Sequence, residues 1–155
     1  MTKAYAFYLA ATAALLVAGA SWMFGITFAD LAAAPDSIYL GLQKAWLHSE
    51  DVNFTIRAVI ITIYFGMFGT SLFMIFGVNW LSMASGFVFG ALSWFLLLGP
   101  LSLMEDFTHV TPGQQTVFVL MLTLWVYVLL AGFGRVFFGP GTTFSNKTYS
   151  TLIPN

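Results

Sequence analysis

Cysteine is absent from the 155 residues of this chain. That removes disulfides, iron–sulfur clusters, thiolate zinc and cysteine nucleophiles together. Charge is the second scarcity. Lys and Arg number 5 and Asp and Glu 6, only 7% of the chain. A soluble domain carries about 25% charged residues, because water must wet its surface. Here 59% of residues are hydrophobic and the mean hydropathy is +0.89. So little charge cannot coat a water-facing globule, and lipid is the expected solvent. The 5 scattered cations form no basic stripe, so nothing points to nucleic acid as a partner.

What the chain does have is four long apolar runs: Ala4–Phe28, Phe54–Phe76, Met83–Met104 and Gln115–Phe138. A membrane-spanning helix takes about 20 apolar residues. Backbone groups cannot stay open in hydrocarbon, so the runs are predicted to be helical. The alternation of a membrane barrel is missing. The predicted fold is therefore an all-α integral membrane protein. Residues 1–141 form a four-helix transmembrane bundle, and residues 142–155 form a polar tail. Lys3 and the Ala18-Gly19-Ala20 sequence resemble a signal peptide with its cleavage site. The apolar run continues through Trp22, Phe24 and Phe28, however, which suits a retained span.

The joints between runs carry readable signals. Residues 77–82 are too few for anything but a tight antiparallel hairpin. Gly99-Pro100, near the end of the third run, should kink the helix or weaken its last turn. Thr111-Pro112-Gly113-Gln114 reads as a capping box opening the fourth, and Gly139-Pro140-Gly141 as its stop. In the first gap, Ile38, Tyr39, Leu42, Ala45 and Trp46 recur at helical spacing. A short interfacial amphipathic helix is expected there, over residues 36–48. Ser49 is then the expected N-cap of the second span, with Glu50 and Asp51 in its first turn.

The few charges are segregated. Asp30, Asp36, His48, Glu50 and Asp51 lie in the first gap, and Glu105, Asp106 and His109 in the third. Lys3, Arg135 and Lys147 lie at the opposite ends of the runs, against Lys44 and Arg57 on the acidic side. The positive-inside rule then puts both termini in the cytoplasm and the acidic loops outside it. Small residues recur every fourth position at Ser82, Gly86 and Gly90, and at Ala10, Ala14 and Ala18. Such stripes let helices approach closely, and Gly66 with Thr70 offers the second run a similar face.

Four residues have the chemistry of a metal or cofactor site: His48, Glu50, Glu105 and His109. Glu105 and His109 are one helical turn apart, but Thr111-Pro112 makes that stretch partly loop. No HExxH, repeated ExxH or histidine triad is present, and the plainer reading is a pair of solvated loops. His48 or His109 also suits one porphyrin or chlorophyll near the outer boundary. Arg57 is costly inside hydrocarbon. It either snorkels to the boundary or pairs with Glu105 or Asp106, clamping the second span to the third. Deep polar groups are limited to hydroxyls such as Thr62, Thr70, Ser71, Ser93 and Thr123. These usually bond back to their own helix, which disfavours a transport path. No GxSxG elbow marks a serine nucleophile.

The reading that follows is a small structural or accessory subunit of a larger membrane complex of respiratory, photosynthetic or membrane-oxygenase type. Its partners would be other membrane subunits and the bilayer, and its ligands a lipid, a pigment or one metal ion. Chain ends are ordered where something holds them, so a partner surface is expected for the tail. The competing readings are a membrane enzyme using the acidic face, and a small transporter or channel.

Overall fold

The computed structural model describes residues 2–104 and 108–139, and these contain helices and no strand. The helices are α1 (Lys3–Phe24), α2 (Phe28–Leu47), α3 (Val52–Phe73), α4 (Trp80–Ser102) and α5 (Pro112–Phe138). All but α2 are long and apolar enough to cross a membrane, α3 with the 3-10 turn that extends it to Phe76.

The first boundary differs from the sequence expectation. The first helix stops at Phe24, because Gly25 takes a left-handed conformation (φ 63°). Thr27 then caps α2, and the Asp30 side chain answers it in a capping box. The expected interfacial helix over residues 36–48 is thus longer and starts at Phe28. Pro35 lies inside it and cannot donate to the Leu31 carbonyl, but the preceding turn is secured by the cap. The N-cap of α3 is Asp51 rather than Ser49; its carboxylate accepts from the Asn53 N–H at 2.9 Å. Ser49 instead offers its carbonyl to the Thr55 hydroxyl at 3.0 Å. Pro100 does not end α4, which runs on to Ser102. The capping box at Thr111 and Gln114 opens α5 with Pro112 in its first turn.

The most extensive pairing joins α3 to α4. Their connection is short: the 3-10 turn, Gly77 at φ 137°, and Asn79, which caps α4 through the Ser82 N–H at 2.8 Å. Along the seam, a Cβ on Gly69 would overlap the Gly86 carbonyl, and one on Gly90 the Phe65 carbonyl. The two backbones touch, a separation only glycine permits. The Thr70 hydroxyl sits 3.0 Å from the Gly66 carbonyl and 3.2 Å from that of Met83 across the seam. Ser82 bonds across it to the Phe73 carbonyl at 3.1 Å.

Helix α2 lies over one end of this block. Its buried edge is Ala34, Ser37, Gly41 and Ala45. Gly41 meets the backbone of Gly99 in α4, and Ser37 meets Gly113 in the first turn of α5. Gln114 reaches from α5 to the Pro100 carbonyl at 3.1 Å. The ends of three helices are thereby tied together.

Helix α1 is attached differently. Among the helices it packs only on α5, and Tyr5 is its only buried residue. Thr2 donates to the Phe138 carbonyl at 2.6 Å, Tyr5 to that of Ala131 at 2.9 Å, and Tyr8 to that of Leu130 at 3.0 Å. The Tyr8 ring fills the space left by Gly134 and leans on Phe138, centroids 5.5 Å apart. Ala10, Ala14 and Ala18 are exposed. They lie on the side away from these contacts and pack on no other helix among the described residues.

Burial runs opposite to that of a water-soluble bundle. Trp22 is 87% and Phe28 92% exposed, while Gln114 and Thr116 are 2% exposed. Small and polar groups fill the inside, and large apolar ones face out.

Candidate functional site

The helices alternate in direction, so the charges sort by end. The end carrying α2 holds Asp30, Asp36, His48, Glu50, Asp51 and His109, with Lys44 and Arg57. The other end holds Lys3 and Arg135 and no carboxylate among the described residues.

At the α2 end the side chains proposed from sequence stay apart in their hydrogen bonding. His48 closes α2, with Nδ1 2.8 Å from the Lys44 carbonyl and its ring 5.9 Å from that of Phe54. It borders a small recess of about 210 Å³ with Ser102 and Met104. Glu50 is exposed in the turn that follows. His109 is exposed in the α4–α5 loop, with Nδ1 2.9 Å from the Thr108 hydroxyl. Among the described residues, no three His, Asp or Glu side chains gather as a metal site would require. Glu105 and Asp106 lie outside the described residues, as does the tail 142–155. Arg57 is exposed in the second turn of α3 and forms no ion pair with a described residue. Asp30 accepts from the Thr27 N–H at 2.7 Å and its hydroxyl at 2.8 Å. These bonds, the backbone one foremost, hold its carboxyl below the usual range.

Inside the spans, hydroxyls bond to carbonyls of their own helix. Thr62 bonds to Ala58, Ser71 to Met67, Ser93 to Phe89 and Ser102 to Leu98, at 2.7–3.0 Å. Two buried polar atoms have no partner among the described residues, Ser37 Oγ and Trp94 Nε1.

Of four larger concavities, of about 470 to 560 Å³, two are lined by three or more helices. The first is an apolar groove of about 550 Å³ between α3 and α5, floored by Leu97 of α4. Phe65, Phe68, Phe118 and Trp125 form its walls. These rings belong to a wider cluster. Trp125 stacks on Phe68 at 5.4 Å and meets Phe89 at 4.9 Å, and Phe65 meets Trp94 at 5.2 Å. The sequence shows these aromatics scattered around their helices; only the packing of three helices collects them.

The second is a cleft of about 470 Å³ at the opposite end from α2, between α1, α4, α5 and the α3–α4 turn. Its floor is apolar, with Leu9, Phe73 and Val128. Its polar lining is Tyr5, Asn79, Ser82, Ser85, Tyr127 and Arg135. Arg135 donates from Nη1 to the Phe76 carbonyl, fixing the guanidinium beside the α3–α4 turn.

No family model matches the chain, and no curated protein or solved structure does so either. Sequence reasoning passed over this cleft. It used Arg135 only as an orientation signal, since nothing local links positions 5, 79, 85, 127 and 135.

Proposed function

We propose that the chain is an integral membrane protein that acts as a small structural or accessory subunit, packing against other membrane proteins. On this reading both termini face the cytoplasm or its organellar equivalent and the α2 end faces away from it, an orientation that the distribution of Lys and Arg favours. The observation that carries the reading is the attachment of α1. This 22-residue apolar helix meets the others only through α5 and presents Phe7, Leu15, Val17, Trp22 and Met23 outward. A helix left this open suits contact with a second protein within the bilayer. The groove between α3 and α5 offers a further apolar seat, for a partner helix or a flat pigment. The use of span hydroxyls for backbone bonding fits a packing role better than a conducting one.

The test is extraction of the chain from its own membranes in mild detergent. Larger membrane proteins should accompany it in fixed ratio. A photo-crosslinker at Ala14 on the outer face of α1 should label one of them. A solitary, monodisperse particle with no crosslink product would end the proposal.

A further inference from the structure

We propose that the cleft beside Arg135 is a binding site for one phospholipid with an anionic headgroup. The proposal rests on the membrane reading above and adds a defined ligand to it.

The lining combines two chemistries that few other ligands match together. The mouth is rich in donors. Arg135 uses one nitrogen on the Phe76 carbonyl, and a guanidinium has five N–H groups. The Tyr127 hydroxyl, the Asn79 side-chain nitrogen and the Ser85 hydroxyl have no hydrogen-bond partner among the described residues. The Asn79 oxygen is already occupied by the Ser82 N–H, so the free part of that amide donates. Lys3 lies at the same end, and no described carboxylate does. An anion with several acceptor oxygens satisfies that inventory, and a cation or a neutral apolar group does not.

The depth of the cleft asks for hydrocarbon. Leu9, Phe73 and Val128 form it. Helices α1 and α4 do not pack on one another among the described residues, and the cleft opens between Leu9 of the one and Ser85 of the other. An acyl chain fits there, with its headgroup at the level where the helices end. Basic pockets between spanning helices on the cytoplasmic side are suited to such headgroups.

The experiment is native mass spectrometry of the full chain, taken from bilayers that mix phosphatidylglycerol with phosphatidylcholine. One phosphatidylglycerol should remain bound per chain, and phosphatidylcholine should not. Arg135→Gln should lower retention by roughly tenfold, and Arg135→Lys should restore much of it. Ser85→Leu, which fills the cleft without touching the Arg135–Phe76 bond, should reduce retention similarly. Arg57→Gln, at the far end, should leave it unchanged. Millimolar inorganic phosphate should not displace the lipid; displacement would show that a free anion suffices and would overturn the proposal. Equal retention of both lipids, or indifference to both Arg135→Gln and Ser85→Leu, would overturn it too. A chain released from membranes by alkaline washing would instead sink the membrane reading itself.

Discussion

Helices α3 and α4 meet backbone to backbone, whereas α1 meets α5 through side chains, with three hydroxyls and the Tyr8 ring foremost. In the first region, Gly69, Gly86 and Gly90 leave no room for a side chain, and the Thr70 and Ser82 hydroxyls reach across. In the second, Thr2, Tyr5 and Tyr8 hang α1 from α5 carbonyls at one end only. A glycine seam gains from many dispersion contacts that lipid tails cannot reproduce as densely. A hydroxyl latch gains less, about 0.6 kcal/mol for each interhelical hydrogen bond in a bilayer. The molecule therefore sets a tightly joined α3–α4 pair against an α1 that is held through α5 alone among the described residues.

The sharpest way to break this contrast is Gly90→Ala. One methyl group would collide with the Phe65 carbonyl, which cannot move without its helix. Overpacking of this kind costs about 1–3 kcal/mol. Thermal unfolding in detergent should show the loss, and an unchanged midpoint would refute the seam. Next in size is the double change Tyr5→Phe with Tyr8→Phe. Rings and packing stay, two hydroxyls go, and about 1 kcal/mol should be lost. Hydrogen exchange should quicken in α1 while α3 and α4 stay protected. Equal quickening in all of them would mean that the molecule opens as one unit.

The smallest effect concerns the joint between the two regions. Asp30 caps α2 just beyond Gly25, where α1 ends. Its carboxyl is held below its ordinary value by the Thr27 bonds. A depressed folded value means that the cap contributes fully above the unfolded value of about 3.9, and is lost as pH falls through the folded one. Amide exchange at residues 28–31 should therefore rise in acid, below about pH 4. Asp30→Asn should remove that dependence. If the variant keeps the same acid response, another group governs the joint.

The four apolar spans were legible because length and continuity suffice to mark them. The stripe Ser82, Gly86, Gly90 lies along the α3–α4 seam, with Gly66 and Thr70 facing it. The similar stripe Ala10, Ala14, Ala18 has no neighbouring helix among the described residues, because alanine spacing alone does not say which face a partner takes. The helix expected over residues 36–48 leaves out residues 28–35, since periodicity gives no credit to a cap such as Thr27–Asp30 that starts a helix earlier. The cleft at Arg135 was illegible for a different reason. Its lining residues come from four helices and a turn, and adjacency across helices leaves no local trace in the sequence.

The Tyr5–Ala131 bond spans 126 positions. A ribosome makes α1 before α5, so the clasp cannot close until the helices between them have been made. Throughout that interval α1 stands without its mate, whereas α3 and α4 are neighbours in sequence and can join as soon as both exist. The order in which the two contacts close is thus written into how far apart their halves lie along the chain.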